Sequence, residues 1–168
     1  MTISMYDASV PRLANMLRNL DAILGKAQAH AIAKKIDPSV LLTARLFPDM
    51  LPLLKQVQIA TDHAKGAPAR LAGVEVPKFE DSEQSFEELQ ARIVKTIAFA
   101  ESISSEQING SEEKQISLKV GGQELTFTGM TYLLGFALPN FYFHLVTAYN
   151  ILRHNGVEIG KRDFVGSP

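Results

Sequence analysis

The side chains with most chemistry to offer are four histidines, His30, His63, His144 and His154, in a chain of 168 residues that has no cysteine. Without thiols, disulfide frameworks, thiolate metal sites and thiol nucleophiles are excluded, so a metal centre must draw on His, Asp, Glu or Asn. His144 follows Asn140 by four residues inside 139–156, a stretch that is aromatic and apolar nearly all round. That spacing puts both on one helical face, where two ligands could share an ion. It equally suits a core histidine whose ring nitrogens bond to Asn140, a backbone carbonyl or Thr147. On the residues alone both readings stay open.

His63 follows Asp62, but adjacent helical residues face different directions, so that carboxylate is a poor partner for the ring. His154, beside Arg153 and ahead of Asn155-Gly156, reads as part of a helix C-terminal cap, and His30 as a boundary residue. Phe136, Phe141, Tyr142, Phe143 and Tyr149 read mainly as core; Tyr142 and Tyr149 carry hydroxyls that need partners and, with Thr147, are the pocket-lining candidates. No Ser/His/Asp constellation is evident, and neither Gly121-Gly122 nor Gly156 with Gly160 lies at a strand-to-helix junction that could cradle phosphate. Glu87-Glu88 and Glu112-Glu113 read as solvated surface, and Lys161-Arg162 is too short a charge run for nucleic acid.

Four helices must position these groups. Leu13, Leu17, Leu20, Leu24 and Ala27 fall at steps of three and four, predicting a first helix over about residues 9–35 with Ser9 as N-cap and Pro11 in its first turn. Pro38, Pro48 and Pro52 make residues 40–47 a short helical or irregular connector. A second helix starts near Asp49 as cap and carries Leu53, Leu54, Val57, Ile59 and Ala60 to His63 before Gly66 and Pro68 loosen it. A third begins after Asp81, with Ser85 and Glu88 at capping-box spacing and a stripe of Leu89, Ile93, Ile97 and Ala100, and ends near Ile103.

Between residues 104 and 128 the period changes to alternation, Ile116, Leu118, Val120, then Gly121-Gly122, then Leu125 and Phe127, which predicts a hairpin with one apolar face and Lys119 and Glu124 in water. The fourth helix starts near Thr128, and Pro139 predicts a kink, or a break and restart, with irregular backbone just before Asn140. Residues 157–164 show no clear period.

The length suits one domain, 1–168, and a net charge of −1 offers no attraction for nucleic acid or anionic membrane. The first residues lack a signal-peptide pattern and no apolar run is long enough to span a bilayer, which predicts a cytoplasmic protein.

The run from His144 to Val157, followed by Lys161-Arg162-Asp163-Phe164, resembles the C-terminal helix of the DinB/YfiT-like metalloenzyme superfamily, and more narrowly a branch known only as a domain of unknown function. The resemblance implies an all-α fold, a four-helix bundle of up-down-down-up type with a small β-hairpin inserted before the last helix. It also implies one divalent metal, Ni, Zn or Mn, on three histidines, one from the second helix and an i, i+4 pair from the last. By position His63 and His144 match two of them and Asn140 stands in place of the third, so the implied triad is incomplete. The activity implied is metal-dependent, with thiol-dependent transfer as its best-known form. Set beside it are a non-catalytic binder of a small-molecule or lipid-like ligand that has lost the metal, and a homodimeric structural or interaction protein hiding apolar surface from the first and fourth helices.

Overall fold

A computed structural model describes residues 3–166; Met1 and Thr2, which belong to the N-terminal signal reading, and Ser167 and Pro168, which close the 1–168 span, lie outside the described residues. The chain is mostly helical with one two-stranded antiparallel hairpin.

Helix α1 runs Met5–Lys34 and buries all five residues of its expected stripe. It starts earlier than the sequence predicted. The cap is Ser4, whose Oγ accepts from the Asp7 N–H, whereas Ser9 is buried one turn in and donates its hydroxyl to the Met5 carbonyl. Burying Met5 against the core favours the extra turn, and Pro11 is tolerated inside the helix. Asp37 caps the short α2, Pro38–Thr43.

Helix α3, Leu53–Ala72, also departs from expectation at both ends. Pro52, not Asp49, is its N-cap, and the helix passes through Gly66 and Pro68 to a left-handed Gly73 (φ 77°), whose N–H reaches the Ala69 and Arg70 carbonyls. This part of α3 is enclosed: Ala64, Gly66, Ala67, Pro68 and Ala69 are all buried, so packing outweighs the donor that proline lacks. Helix α4, Phe86–Glu101, has Ser85 as cap, its Oγ accepting from the Glu88 N–H. The Glu88 carboxylate reaches back to the Gln84 N–H, one residue before the one a capping box would use.

A short α5, Ser105–Ile108, precedes the hairpin where only alternation was expected; the Gln107 side chain bonds to the Ser104 N–H and Ile108 is buried. Strands β1 (Gln115–Val120) and β2 (Gln123–Thr128) pair Ile116 with Phe127 and Leu118 with Leu125. Gly121 (φ 56°) and Gly122 (φ 84°) supply the left-handed turn, and Lys119 and Glu124 are exposed as expected.

The last long helix begins at α6, Gly129–Tyr132, capped by Thr128. It neither breaks nor restarts at Pro139. Instead, Leu133–Ala137 widen into a π-helical turn and lead directly into α7, Leu138–His154. The wider turn accommodates the proline ring and its missing N–H without interrupting the helix. Helix α7 ends at a left-handed Gly156 (φ 87°). The tail folds as α8, Lys161–Val165, held to α1 by the Lys26–Asp163 ion pair and by Asn19 donating to the Phe164 carbonyl. Helix α3 packs against α7, α4 and α1, while α4 also packs on α1. Among the described residues no helix is long and apolar enough to cross a membrane.

Candidate functional site

Residues seven apart on an α-helix return to nearly the same azimuth, drifting about 20°. Gln56, His63 and Arg70 therefore form one polar stripe along α3, and it faces Tyr132, Phe136, Asn140 and His144 of the last helix. The contacts run in opposite chain directions. Gln56 Oε1 lies 2.7 Å from His144 Nδ1; the His63 ring lies 6.1 Å from that of His144, nearly parallel at 15°, and 5.9 Å from the Phe136 ring; Arg70 Nη1 donates to the Tyr132 hydroxyl at 3.0 Å. The hairpin covers one end of this seam. Asp62, His63, Arg70, Phe136 and Asn140 line a pocket of about 420 Å³ whose other wall is residues 118–121 of the hairpin.

Gln56 settles which nitrogen of His144 carries the proton. The buried Gln56 amide donates from Nε2 to the Leu51 carbonyl at 3.0 Å, which can only accept. Its Oε1 is therefore the end presented to His144, so Nδ1 must be the donor and Nε2 keeps the free lone pair. Replacing Gln56 with Leu is expected to cost about 1 to 2 kcal/mol and to return His144 to the Nε2–H form that a free imidazole prefers. Long-range ¹H–¹⁵N spectra report the tautomer directly, and a wild-type protein already in the Nε2–H form would sink the assignment.

Both rings are held neutral. Burial, then the neighbouring His144, lowers His63 to about 4, with Asp62 opposing and Arg70 and Lys65 adding to the fall. Burial also lowers His144. Neutral imidazoles are the form that binds metal or accepts a proton.

The sequence-predicted residues divide. His63 and His144 do come together, and Asn140 lines the pocket beside His63. The Asn140 side chain, however, donates from Nδ2 to the Phe136 carbonyl at 2.7 Å, in the wide turn before Pro139, so part of its role is to complete the backbone there. Tyr142, Thr147 and Tyr149 do not line this pocket. Tyr142 packs edge-on to Phe141, with Arg12 acting on its hydroxyl, Thr147 donates to the Phe143 carbonyl, and Tyr149 packs against Phe164 of α8. For Tyr142 helical geometry is the reason, since it lies about 200° around the axis from His144.

Gln56, Arg70 and the hairpin wall were missed by the sequence reading, and Phe136, read mainly as core, lines the pocket. The seven-residue spacing of Gln56, His63 and Arg70 was the available signal. As a metal centre, the donor set supplies two neutral imidazoles and one carboxamide. Among the described residues no three His, Asp or Glu side chains gather at a spacing that could hold an ion. An ion here would have to draw on His63 and His144 with Asn140 as a weak third donor, a set that falls short of a three-histidine centre.

Residues 5–165 match the family described as a domain of unknown function, DUF1993. The chain is also similar to the crystal structure of a DinB family member protein from Shewanella denitrificans, at 43% sequence identity and a TM-score of 0.87, covering 97% of this chain and 92% of that one. No curated protein matches it.

Proposed function

This chain belongs to the DUF1993 family of DinB-like proteins, and from that premise we propose a small-molecule-binding protein, arranged as a DinB-type four-helix bundle, whose chemical centre is the His63–His144 pair. The observation that carries the reading is that pair itself: two neutral, near-parallel rings, one fixed in its tautomer by Gln56, beside a pocket. Such preparation suits one divalent metal, Ni, Zn or Mn, held by His63 and His144 with Asn140 as the third donor. Bound there, the ion would supply the acidity that makes a coordinated water or thiol nucleophilic at neutral pH. The chain's own residues orient the imidazoles, exclude bulk water with Phe136 and the hairpin, and keep the Asp62 charge engaged elsewhere.

A second reading, a non-catalytic binder that has lost the metal, is favoured by one observation. The third position holds Asn140, whose Nδ2 is engaged on the Phe136 carbonyl and whose Oδ1 is a weak metal donor, so the set is one strong ligand short. Thermal melts of untagged, metal-stripped protein with nickel, zinc and manganese separate the two. The metal reading expects saturable stabilisation that His63→Ala abolishes and Asn140→His strengthens by at least about tenfold in affinity. No shift with any of the three ions in either the wild type or Asn140→His leaves the non-catalytic reading. The cytoplasmic and homodimeric assignments belong to the same proposal. Leu134, Phe143 and Val146 expose apolar surface on the last helix, and a protein that stays monomeric at micromolar concentration by light scattering removes the dimer.

A further inference from the structure

Arg70 is the unexplained charge in this pocket. It is half-buried, and its one hydrogen bond among the described residues goes to the neutral Tyr132 hydroxyl, over whose ring the guanidinium also sits at 5.9 Å. Among the described residues no carboxylate lies within ion-pair distance of it. Asp62, the acidic residue that lines the same pocket, is taken by Lys65 and by Arg92, whose Nη2 donates to it at 2.9 Å. The guanidinium lies folded against Gly66 one turn back, where a Cβ would meet Arg70 Nη1 and the side chain would have to shift. The hairpin wall carries Lys119, an exposed cation at the rim of the pocket, with Glu124 opposite it in the strand register.

A partly desolvated guanidinium without a counter-ion costs stability unless something pairs with it, and its planar fork matches an oxyanion. The neighbours suit the same guest. Asn140 and neutral His63 add hydrogen-bonding capacity without negative charge, and Phe136 offers an apolar wall for a short carbon skeleton. A cavity of about 420 Å³ limits the guest to a small molecule.

We infer that Arg70, assisted by Lys119 from the hairpin, forms the oxyanion-recognition end of the His63 pocket, so that the ligand is a small molecule bearing a carboxylate or phosphoryl group. This names the ligand class for the pocket proposed above and rests on that reading of the pocket, but not on a metal. The two therefore fail separately.

The test is an NMR titration of ¹⁵N-labelled protein stripped of metal on a chelating resin, with succinate in one arm and inorganic phosphate in the other, at constant ionic strength set by chloride. Saturable shifts are expected at His63, Arg70 and residues 118–121 at about 1 to 10 millimolar anion. Response to succinate alone identifies a carboxylate guest, response to phosphate alone a phosphoryl guest, and response to both the shared oxyanion chemistry. Arg70→Gln is expected to weaken binding by about tenfold or more, Lys119→Gln by a few-fold, and Arg18→Gln, whose charge lies on α1 in an ion pair with Glu101, not at all. Lys119 is exposed on the hairpin, so its variant reports even if Arg70→Gln does not fold. Absence of saturable shifts with both anions, or an affinity unchanged by a folded Arg70→Gln or by Lys119→Gln, overturns the inference. Metal melts that fail while anion binding persists would remove the metal and leave the oxyanion site standing.

Discussion

Replacing Arg92 with Met is expected to destabilise the protein by roughly 2 to 4 kcal/mol, from the lost buried hydrogen bonds and from Glu83, which loses its cation while Asp62 keeps Lys65 and Asp81 keeps Lys55. The Arg92 side chain is 2% exposed, and every face of its guanidinium is used. Its Nε donates to Thr61 Oγ1 at 2.7 Å, Nη1 to the Glu80 carbonyl and to Glu83 Oε1 at 3.0 Å each, and Nη2 to Asp62 at 2.9 Å, with Asp81 Oδ1 an ion-pair partner at 3.1 Å. One residue of α4 thereby fastens α3 to the extended segment 78–84. The Phe79 ring completes the enclosure, with Lys95 Nζ 4.1 Å and Lys65 Nζ 4.8 Å from its centroid and the Arg92 guanidinium at 5.7 Å. Urea unfolding checks the figure. A midpoint that falls steeply with the slope unchanged is the expected result, and a loss under about 1 kcal/mol would mean the network contributes little. Arg92→Lys keeps the charge but not the fork, and is expected to recover less than half of the loss.

The same network reaches the candidate site. Because Arg92 and Lys65 both take Asp62 Oδ1, that carboxylate is held away from the adjacent imidazole, and among the described residues it makes no hydrogen bond to His63. Arg92→Met should therefore also alter the surroundings of His63 indirectly, by leaving Asp62 to Lys65 alone.

What could be read in advance follows from which forces are local. The stripe of Leu13, Leu17, Leu20, Leu24 and Ala27, the Ser85 cap and the Gly121-Gly122 turn are set by period and backbone chemistry within a few residues, and each lies where expected. The start of α1 and the unbroken run of α3 through Gly66 and Pro68 were misjudged because tertiary burial of Met5 and of residues 64–69 outweighs the local signals of Pro11, Gly66 and Pro68. Pro139 was rightly placed as a disturbance with irregular backbone just before Asn140, and that irregularity takes the form of a π turn without a break and restart. At the site, the pairing of His63 with His144 was legible only through the resemblance to DinB-like proteins. Gln56 and Arg70 could have been found by extending the helical azimuth of His63 by seven residues each way. The hairpin wall and the Arg92 network could not, because nothing in the local pattern says which helix face residues 78–84 and 118–121 will cover.

Acidification is expected to weaken the metal-free protein between about pH 6.5 and pH 4 through His63. The unfolded chain takes up this proton near the ordinary value of 6.5, whereas the folded site resists it down to about 4. In that interval the unfolded state binds more protons, so stability rises with pH. The contribution is fully present above the unfolded value, falls as pH drops through the window, and does not fall further below the folded value. The size is roughly 2 to 3 kcal/mol for such a shift. His144, lowered by burial, acts in the same direction. Denaturant midpoints measured at half-unit steps from pH 7.5 to 4, with the protein stripped of metal, trace the profile, and His63→Gln removes most of its slope over the upper part of the window while leaving the carboxylate region below pH 4 unchanged. A wild-type profile flat between pH 6.5 and 4.5 would show that the His63 ring is open enough to accept its proton in the folded state. The burial that lowers the proton affinity of His63 would then be absent, although the ring would still be mostly neutral at pH 7.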